Sequence, residues 1–155
     1  MLKIVRLDDR LVHGLIINNW CTIENISEIM VVDKEAANNE MRRTVIEMST
    51  PENIKVLFCD VDSALEIYAE EIEYEDLMMI FGNPFELLEF VNKGGVLESV
   101  NIGGMSFKKG RKRLSTSVYA DEIEINALKK ITEKDILLEI RILPTDTSTN
   151  LLKYI

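Results

Sequence analysis

Short apolar runs near residues 2–7, 28–33, 54–59, 77–81, 98–102 and 137–142 alternate with longer stretches whose apolar residues recur at helical spacing. This alternation is how parallel strands joined by helical crossovers present themselves in sequence. Within 35–49, Ala37, Met41, Val45 and Met48 follow at steps of three and four, predicting an amphipathic helix that Pro51 ends. Over 60–73, Val61, Ala64, Leu65, Tyr68 and Ile72 share a face, with Asp60 or Asp62 placed to cap its start. Asn83 and Pro84 open a third helix, and Gly94-Gly95 stops it. Asp121 and Glu124 read as a capping box for a helix running to about 131. Met30, Met41, Met48, Met78 and Met79 fall on positions assigned to the core.

At 155 residues the chain suits one domain spanning 1–155. The expected fold is α/β: an open, twisted, mainly parallel sheet, doubly wound with right-handed crossovers and helices on both faces. Such folds bind ligands beyond the carboxyl ends of their strands, which directs attention to the segments following each strand.

Charges interrupt the apolar start of the chain, so it does not read as a secretory signal, and a cytoplasmic protein is expected. A net charge of −9 disfavours a general nucleic-acid binder, which needs positive surface to displace counterions. Against that acidic background Lys108, Lys109, Arg111, Lys112 and Arg113 form a compact basic run. No phosphate-binding loop, dinucleotide fingerprint or metal-ligand cluster is apparent, so neither cofactor nor metal is expected. Cys21 and Cys59 lack the spacing of a zinc or redox site and read as buried thiols.

The first strand leads directly into Asp8-Asp9-Arg10-Leu11-Val12-His13-Gly14, after which 15–20 looks helical. His13 is the only histidine. An imidazole is largely neutral near pH 7 and can attack phosphorus, and the resulting P–N bond retains a high transfer potential. Phosphoryl transfer otherwise asks mainly for positioning and charge neutralisation. Arg10 offers a fork of donors for phosphoryl oxygens, Gly14 and nearby helix amides offer main-chain donors, and Asp8 or Asp9 can orient the imidazole through its other nitrogen. On spacing alone, a His-Gly pair at a strand–helix junction is equally compatible with a capping or packing role, and Asp8-Asp9-Arg10 with a solvated turn.

These residues resemble the mannose, fructose and sorbose family of sugar phosphotransferase B components. Members open with a segment close to R-[IV]-D-D-R-L-[IV]-H-G-Q-V, and this chain has Arg6-Leu7-Asp8-Asp9-Arg10-Leu11-Val12-His13-Gly14-Leu15-Ile16. The similarity continues through Trp20, Val31-Val32-Asp33, Asn83-Pro84, Val100-Asn101-Ile102-Gly103-Gly104-Met105 and Leu138-Glu139-Ile140-Arg141, spanning nearly the whole chain. The resemblance implies a phosphoryl carrier: His13 takes phosphate from a histidine of the A component (EIIA) and gives it to sugar held by the membrane components C and D. It also implies phosphoryl contact by Arg10 and a location at the inner face of the membrane, through C and D. Leu15 departs from the usual Gln, and Asn39 stands where Asp is expected. Leu15 keeps a contrasting reading open, a catalytically silent binding or regulatory module of the same fold.

Three other features bear on the site. Gly103-Gly104, after the fifth strand, permits close backbone approach to a ligand or to the His13 loop, or forms a plain turn. The basic run can steer an acidic phosphorylated partner or simply be a solvated loop. Cys59 ends the third strand and is a rival phosphoryl acceptor, but Asp60 and Asp62 raise rather than lower a neighbouring thiol's pKa.

Overall fold

The computed structural model describes residues 2–70 and 76–155. Seven strands form one sheet in the order β3-β2-β4-β1-β5-β8-β9. They are β1 (Leu2–Asp8), β2 (Glu28–Val32), β3 (Lys55–Cys59), β4 (Leu77–Phe81), β5 (Ser99–Gly104), β8 (Leu137–Ile140) and β9 (Thr149–Asn150). Every pairing in the sheet is parallel except β8 with β9. A small antiparallel pair, β6 (Lys112–Arg113) with β7 (Tyr119–Ala120), lies outside it. The chain moves from β1 to one side of the sheet and later crosses to the other, so the segment after β1 emerges at the point where strand order reverses.

Helices α4 (Val61–Ala69), α5 (Pro84–Asn92) and α6 (Glu122–Thr132) cover one face. There Val61, Leu87, Phe90, Ile125 and Leu128 pack with Leu7, Met79 and Ile102. The other face is covered by a π-helical stretch (Ile16–Cys21) running into α1 (Thr22–Glu24), with α2 (Lys34–Ala37) and α3 (Glu40–Ser49) beside it. Its core contains Leu11, Ile16, Trp20, Ile29, Ala36, Ile46 and Ile80.

The capping signals act as the sequence implies. Asp60 accepts from the Ser63 amide, Asn83 from the amides of Phe85 and Glu86, and Asp121 and Glu124 form a reciprocal capping box. Gly94, past the end of α5, has a φ of +107°, a conformation that glycine takes without Cβ strain.

The segment 35–49 is not one helix. It breaks at Asn38-Asn39, and the Asn39 side chain caps α3 by accepting from the Arg42 amide. The break rotates α3 so that Ile46 faces the core while Met41 and Met48, expected to be buried, are exposed. The strand expected over 137–142 ends at Ile140, because the chain turns there to bring Arg141 and Ile142 behind β1. β6, β7 and β9 are too short to leave an apolar run in the sequence. The helix expected over 60–73 ends at Ala69, where Glu70 caps it, and the later positions of that expectation, Ile72 among them, lie outside the described residues.

Candidate functional site

The site is assembled where β1 ends. Asp8, the last residue of β1, is fully buried, and its Oδ2 accepts hydrogen bonds from both His13 Nε2 (2.9 Å) and the Arg6 guanidinium (Nη2 3.1 Å, Nε 3.2 Å). Its Oδ1 accepts from the Arg10 amide at 3.1 Å. Burial by itself would raise the Asp8 carboxyl. The His13 hydrogen bond and the Arg6 charge outweigh it and hold the pKa below the usual carboxylate value. Asp8 is therefore an anion at neutral pH, facing the imidazole.

His13 lies on the turn leading into the helical segment, its side chain 17% exposed. The Ile17 amide donates to the His13 carbonyl at 3.1 Å, so the first helical turn closes on His13 itself. The leading amides of a helix lack intrahelical acceptors and face outward at such a start. Leu11 fixes the approach: its amide bonds the Asp8 carbonyl at 3.0 Å, and its buried side chain holds a left-handed φ of 59°. For a branched residue that conformation costs roughly 1–2 kcal/mol, so core packing pins the loop.

Behind Asp8 stands a layer that motif spacing did not reveal. Arg6 is completely buried in central strand β1. Its Nη1 donates to Asn101 Oδ1 (2.5 Å) and to the carbonyls of Arg141 and Ile142 (3.4 Å each). Burial pulls the guanidinium below its ordinary value, and the Asp8 charge opposes that shift. Trp20 places its ring 5.0 Å from the Arg6 guanidinium and 5.1 Å from that of Arg141, and its indole N–H donates to the Ile142 carbonyl at 2.9 Å. Glu139 pairs with Arg141 at 2.9 Å and accepts from Asn101 at 3.2 Å. The available signal was chemical: an arginine inside an apolar central strand must have buried partners.

The glycine pair serves this layer. A Cβ on Gly103 would lie 1.9 Å from Arg6 Cζ, and one on Gly104 would lie 3.1 Å from Asp8 Oδ1. The Gly104 carbonyl accepts from the Asp9 amide at 3.1 Å. Of the two approaches the sequence allowed, the structure shows the one to the His13 loop. At Gly14 a Cβ would meet only Asn18 Nδ2, at 3.8 Å, so packing within the chain does not demand glycine there.

Asp9 turns away from the imidazole. Its carboxylate accepts from the Ser106 amide (2.7 Å) and hydroxyl (2.8 Å) and approaches Arg111 Nη1 at 3.5 Å. It acts as a latch between the His13 loop and the segment after β5. Arg111 belongs to that latch: it pairs with Glu124 at 2.5 Å, and its side chain is only 10% exposed. Among the basic residues singled out by sequence, Arg111 is therefore not a free surface cation, whereas Lys108, Lys109, Lys112 and Arg113 are at the surface. Arg10 is at the surface too, its side chain 59% exposed and its Nε in a long ion pair with Asp8 Oδ1 at 4.0 Å.

The structure also places Cys59 and Leu15. Cys59 is buried, and burial followed by the charges of Asp60 and Glu86 pushes its thiol up to about 12, which removes it as a nucleophile at neutral pH. Leu15 is half-buried and packs against the core beneath the loop.

The family model described as "PTS system sorbose subfamily IIB component" matches residues 2–155. A sorbose-specific EIIB component of Lacticaseibacillus casei is 31% identical, with 100% of this chain and 95% of that protein covered. A fructose-specific EIIB component of Bacillus subtilis is 32% identical, with coverage of 100% and 97%. A mannose-specific EIIAB component of Escherichia coli is also 32% identical over all of this chain, which spans 48% of that longer protein. Among solved structures, the IIBSor domain of the Klebsiella pneumoniae sorbose permease superposes with a TM-score of 0.91 at 29% identity, covering 99% of this chain and 94% of that one.

Proposed function

We propose, because the chain belongs to the sorbose subfamily of phosphotransferase-system IIB components, that Nδ1 of His13 is the atom that carries the phosphoryl group. The observation that carries this reading is the 2.9 Å hydrogen bond between Asp8 Oδ2 and His13 Nε2. An ionised Asp8 accepts there, so Nε2 bears the proton and the lone pair resides on Nδ1.

In the first transfer the Nδ1 lone pair attacks the phosphorus of a phosphohistidine on the A component. The new P–N bond forms as the old one breaks, and the donor ring recovers its electron pair. The phosphorylated His13 ring then carries positive charge, which the buried Asp8 carboxylate stabilises. The phosphoryl oxygens lie over the start of the helical segment, where the amides beside Gly14 and the guanidinium of Arg10 donate to them. In the second transfer a hydroxyl of a sugar held by the membrane C and D components attacks phosphorus, the P–N bond breaks, Nδ1 regains its lone pair and the hydroxyl proton passes to solvent. No nucleotide is consumed. Selection of the sugar falls to the membrane components, and the protein works at their cytoplasmic face. Lys108, Lys109, Lys112 and Arg113 supply long-range attraction for the acidic, phosphorylated donor.

Incubation with the phosphorylated A component should place one acid-labile phosphate on His13. No label, under conditions where a sorbose-type relative labels, would contradict the reading. In the same assay Arg10→Lys keeps the charge but loses the fork, so transfer should slow by about tenfold or more. The side chain is mostly exposed, so stability should stay within about 0.5 kcal/mol. A wild-type transfer rate in Arg10→Lys and Arg10→Ala would remove Arg10 from the site.

A further inference from the structure

We propose that Met41 and Val45 on α3, together with Phe107 after β5, form the apolar part of the surface that docks the phosphorylated A component. The proposal rests on the reading of His13 as carrier and deepens it by locating the partner.

Met41, Val45 and Met48 are 79%, 61% and 83% exposed, and their spacing aligns them in one stripe along α3. A helix of a soluble domain ordinarily turns such a stripe inward. Here Ile46 makes the core contact, so the stripe is surplus to folding. Phe107 is 67% exposed and is held upright by an edge-to-face contact with Tyr119.

Both apolar elements are tied to the same residue of the His13 loop. Arg42, next to Met41, donates through Nη2 to the Asp9 carbonyl at 3.4 Å. Ser106, next to Phe107, is held by the Asp9 carboxylate at 2.7 and 2.8 Å. Each apolar element therefore adjoins a residue bonded to Asp9, and the exposed Arg10 follows Asp9 on the same loop.

Transfer between two histidines requires the reacting atoms to approach to about 3–3.5 Å in line. A protein donor meeting that requirement must lie across the His13 loop and onto its flanks. Charge selects the donor: Arg10, Lys108, Lys109 and Lys112 are surface cations on an otherwise acidic chain, complementary to a partner bearing a phosphoryl dianion. Flexible methionine side chains suit a contact made and broken in every cycle. The relative named as an EIIAB component carries A and B on one polypeptide, so an A unit is tethered to a B unit of this type.

The helix also supplies an internal gradient. Arg42 fixes the start of α3 at the loop, and Met48 lies seven residues beyond Met41, about 10 Å along the axis at 1.5 Å per residue. Contact with the donor should fade from Met41 to Met48.

The experiment is the initial rate of His13 phosphorylation as a function of the concentration of the phosphorylated A component of the same system. Met41→Gln and Phe107→Ser should each raise KM by about tenfold, the size of a moderate interface anchor, with kcat retained. Val45→Gln should raise it less, and Met48→Gln should stay within about twofold. All four positions are exposed, and thermal unfolding of each variant checks that the fold persists. Wild-type KM in Met41→Gln and Phe107→Ser, with wild-type protein labelled normally, would overturn the docking surface and leave the His13 reading standing. It would also be overturned if only onward transfer to sugar in membrane vesicles slowed, or if sedimentation showed the stripe joining two copies of this chain. Absence of label on wild-type protein would instead remove the carrier reading, and this proposal with it.

Discussion

Asp8→Asn is expected to slow phosphoryl transfer through His13 by about 10²–10³-fold, equivalent to about 3–4 kcal/mol of transition-state stabilisation. The amide is nearly isosteric, so the loss is electronic. A neutral carboxamide at this position can turn its NH₂ toward Nε2, which moves the ring proton to Nδ1 and removes the attacking lone pair. It also provides no negative charge for the phosphorylated ring. Arg6 is left completely buried without its carboxylate, so the variant should lose about 3–5 kcal/mol of stability as well. Urea unfolding separates the two effects, because transfer can be assayed where both proteins are folded. Acid titration supplies a further check. The folded-state pKa of Asp8 is lowered relative to the unfolded chain, where it is about 3.9. Its stabilisation is therefore fully present well above pH 4 and is lost as pH falls through the folded value. Asp8→Asn should lack that part of the acid dependence. Equal transfer rates in the two proteins would show that Asp8 does not set the tautomer.

Gly103→Ala is the second large expected effect, at about 3 kcal/mol of destabilisation. The added methyl would sit 1.9 Å from Arg6 Cζ, 2.1 Å from Nη2 and 2.3 Å from Nε. Arg6 has nowhere to swing, being clamped by Asp8, Asn101, two carbonyls and the Trp20 ring. Accommodating the methyl means breaking the Arg6–Asp8 pair or parting β1 from β5, and transfer should fall along with stability. Gly14→Ala is the matched contrast. Its methyl would meet only Asn18 Nδ2, at 3.8 Å, so stability should change by no more than about 0.5 kcal/mol. A loss of transfer in Gly14→Ala with stability unchanged would show that the space beside His13 is reserved for the phosphoryl group. Unfolding midpoints of the two variants check the pair, and a Gly103→Ala protein as stable as wild type would refute the packing account of the glycine pair.

Much of the architecture was legible because long-range and local signals agree in this chain. The six apolar runs became six parallel strands, and Asp60, Asn83 and Asp121 cap the helices they precede. Apolar period alone misassigned α3: Met41, Val45 and Met48 repeat as a buried stripe does, and period carries no information about which stripe meets the sheet. Asn39, a capping residue in mid-segment, held the missing cue. In the candidate site, the proximity of His13, Asp8 and Arg10 was readable because they lie within six residues of one another where the first strand ends. Arg6, Asn101, Trp20, Glu139 and Arg141 lie in segments that carry the family resemblance, but their meeting behind Asp8 was not readable, since they converge from β1, the π-helical stretch, β5 and β8 with its following turn, a juxtaposition that only the sheet order creates. Arg111 looked like one cation of five, and only its contacts with Asp9 and Glu124 distinguish it from its neighbours.

Because His13 is the only histidine, one nitrogen-15 spectrum of histidine-labelled protein, recorded before and after phosphorylation by the A component, reads the site without assignment ambiguity. Before transfer the ring should be the Nε2–H tautomer, with Nδ1 unprotonated. Afterwards phosphorus coupling should appear on Nδ1, and the Nε2 proton should persist, held toward Asp8. Phosphorus coupling on Nε2, or no change at either nitrogen under conditions that label a sorbose-type relative, would contradict the assignment of His13 Nδ1 as the phosphoryl carrier.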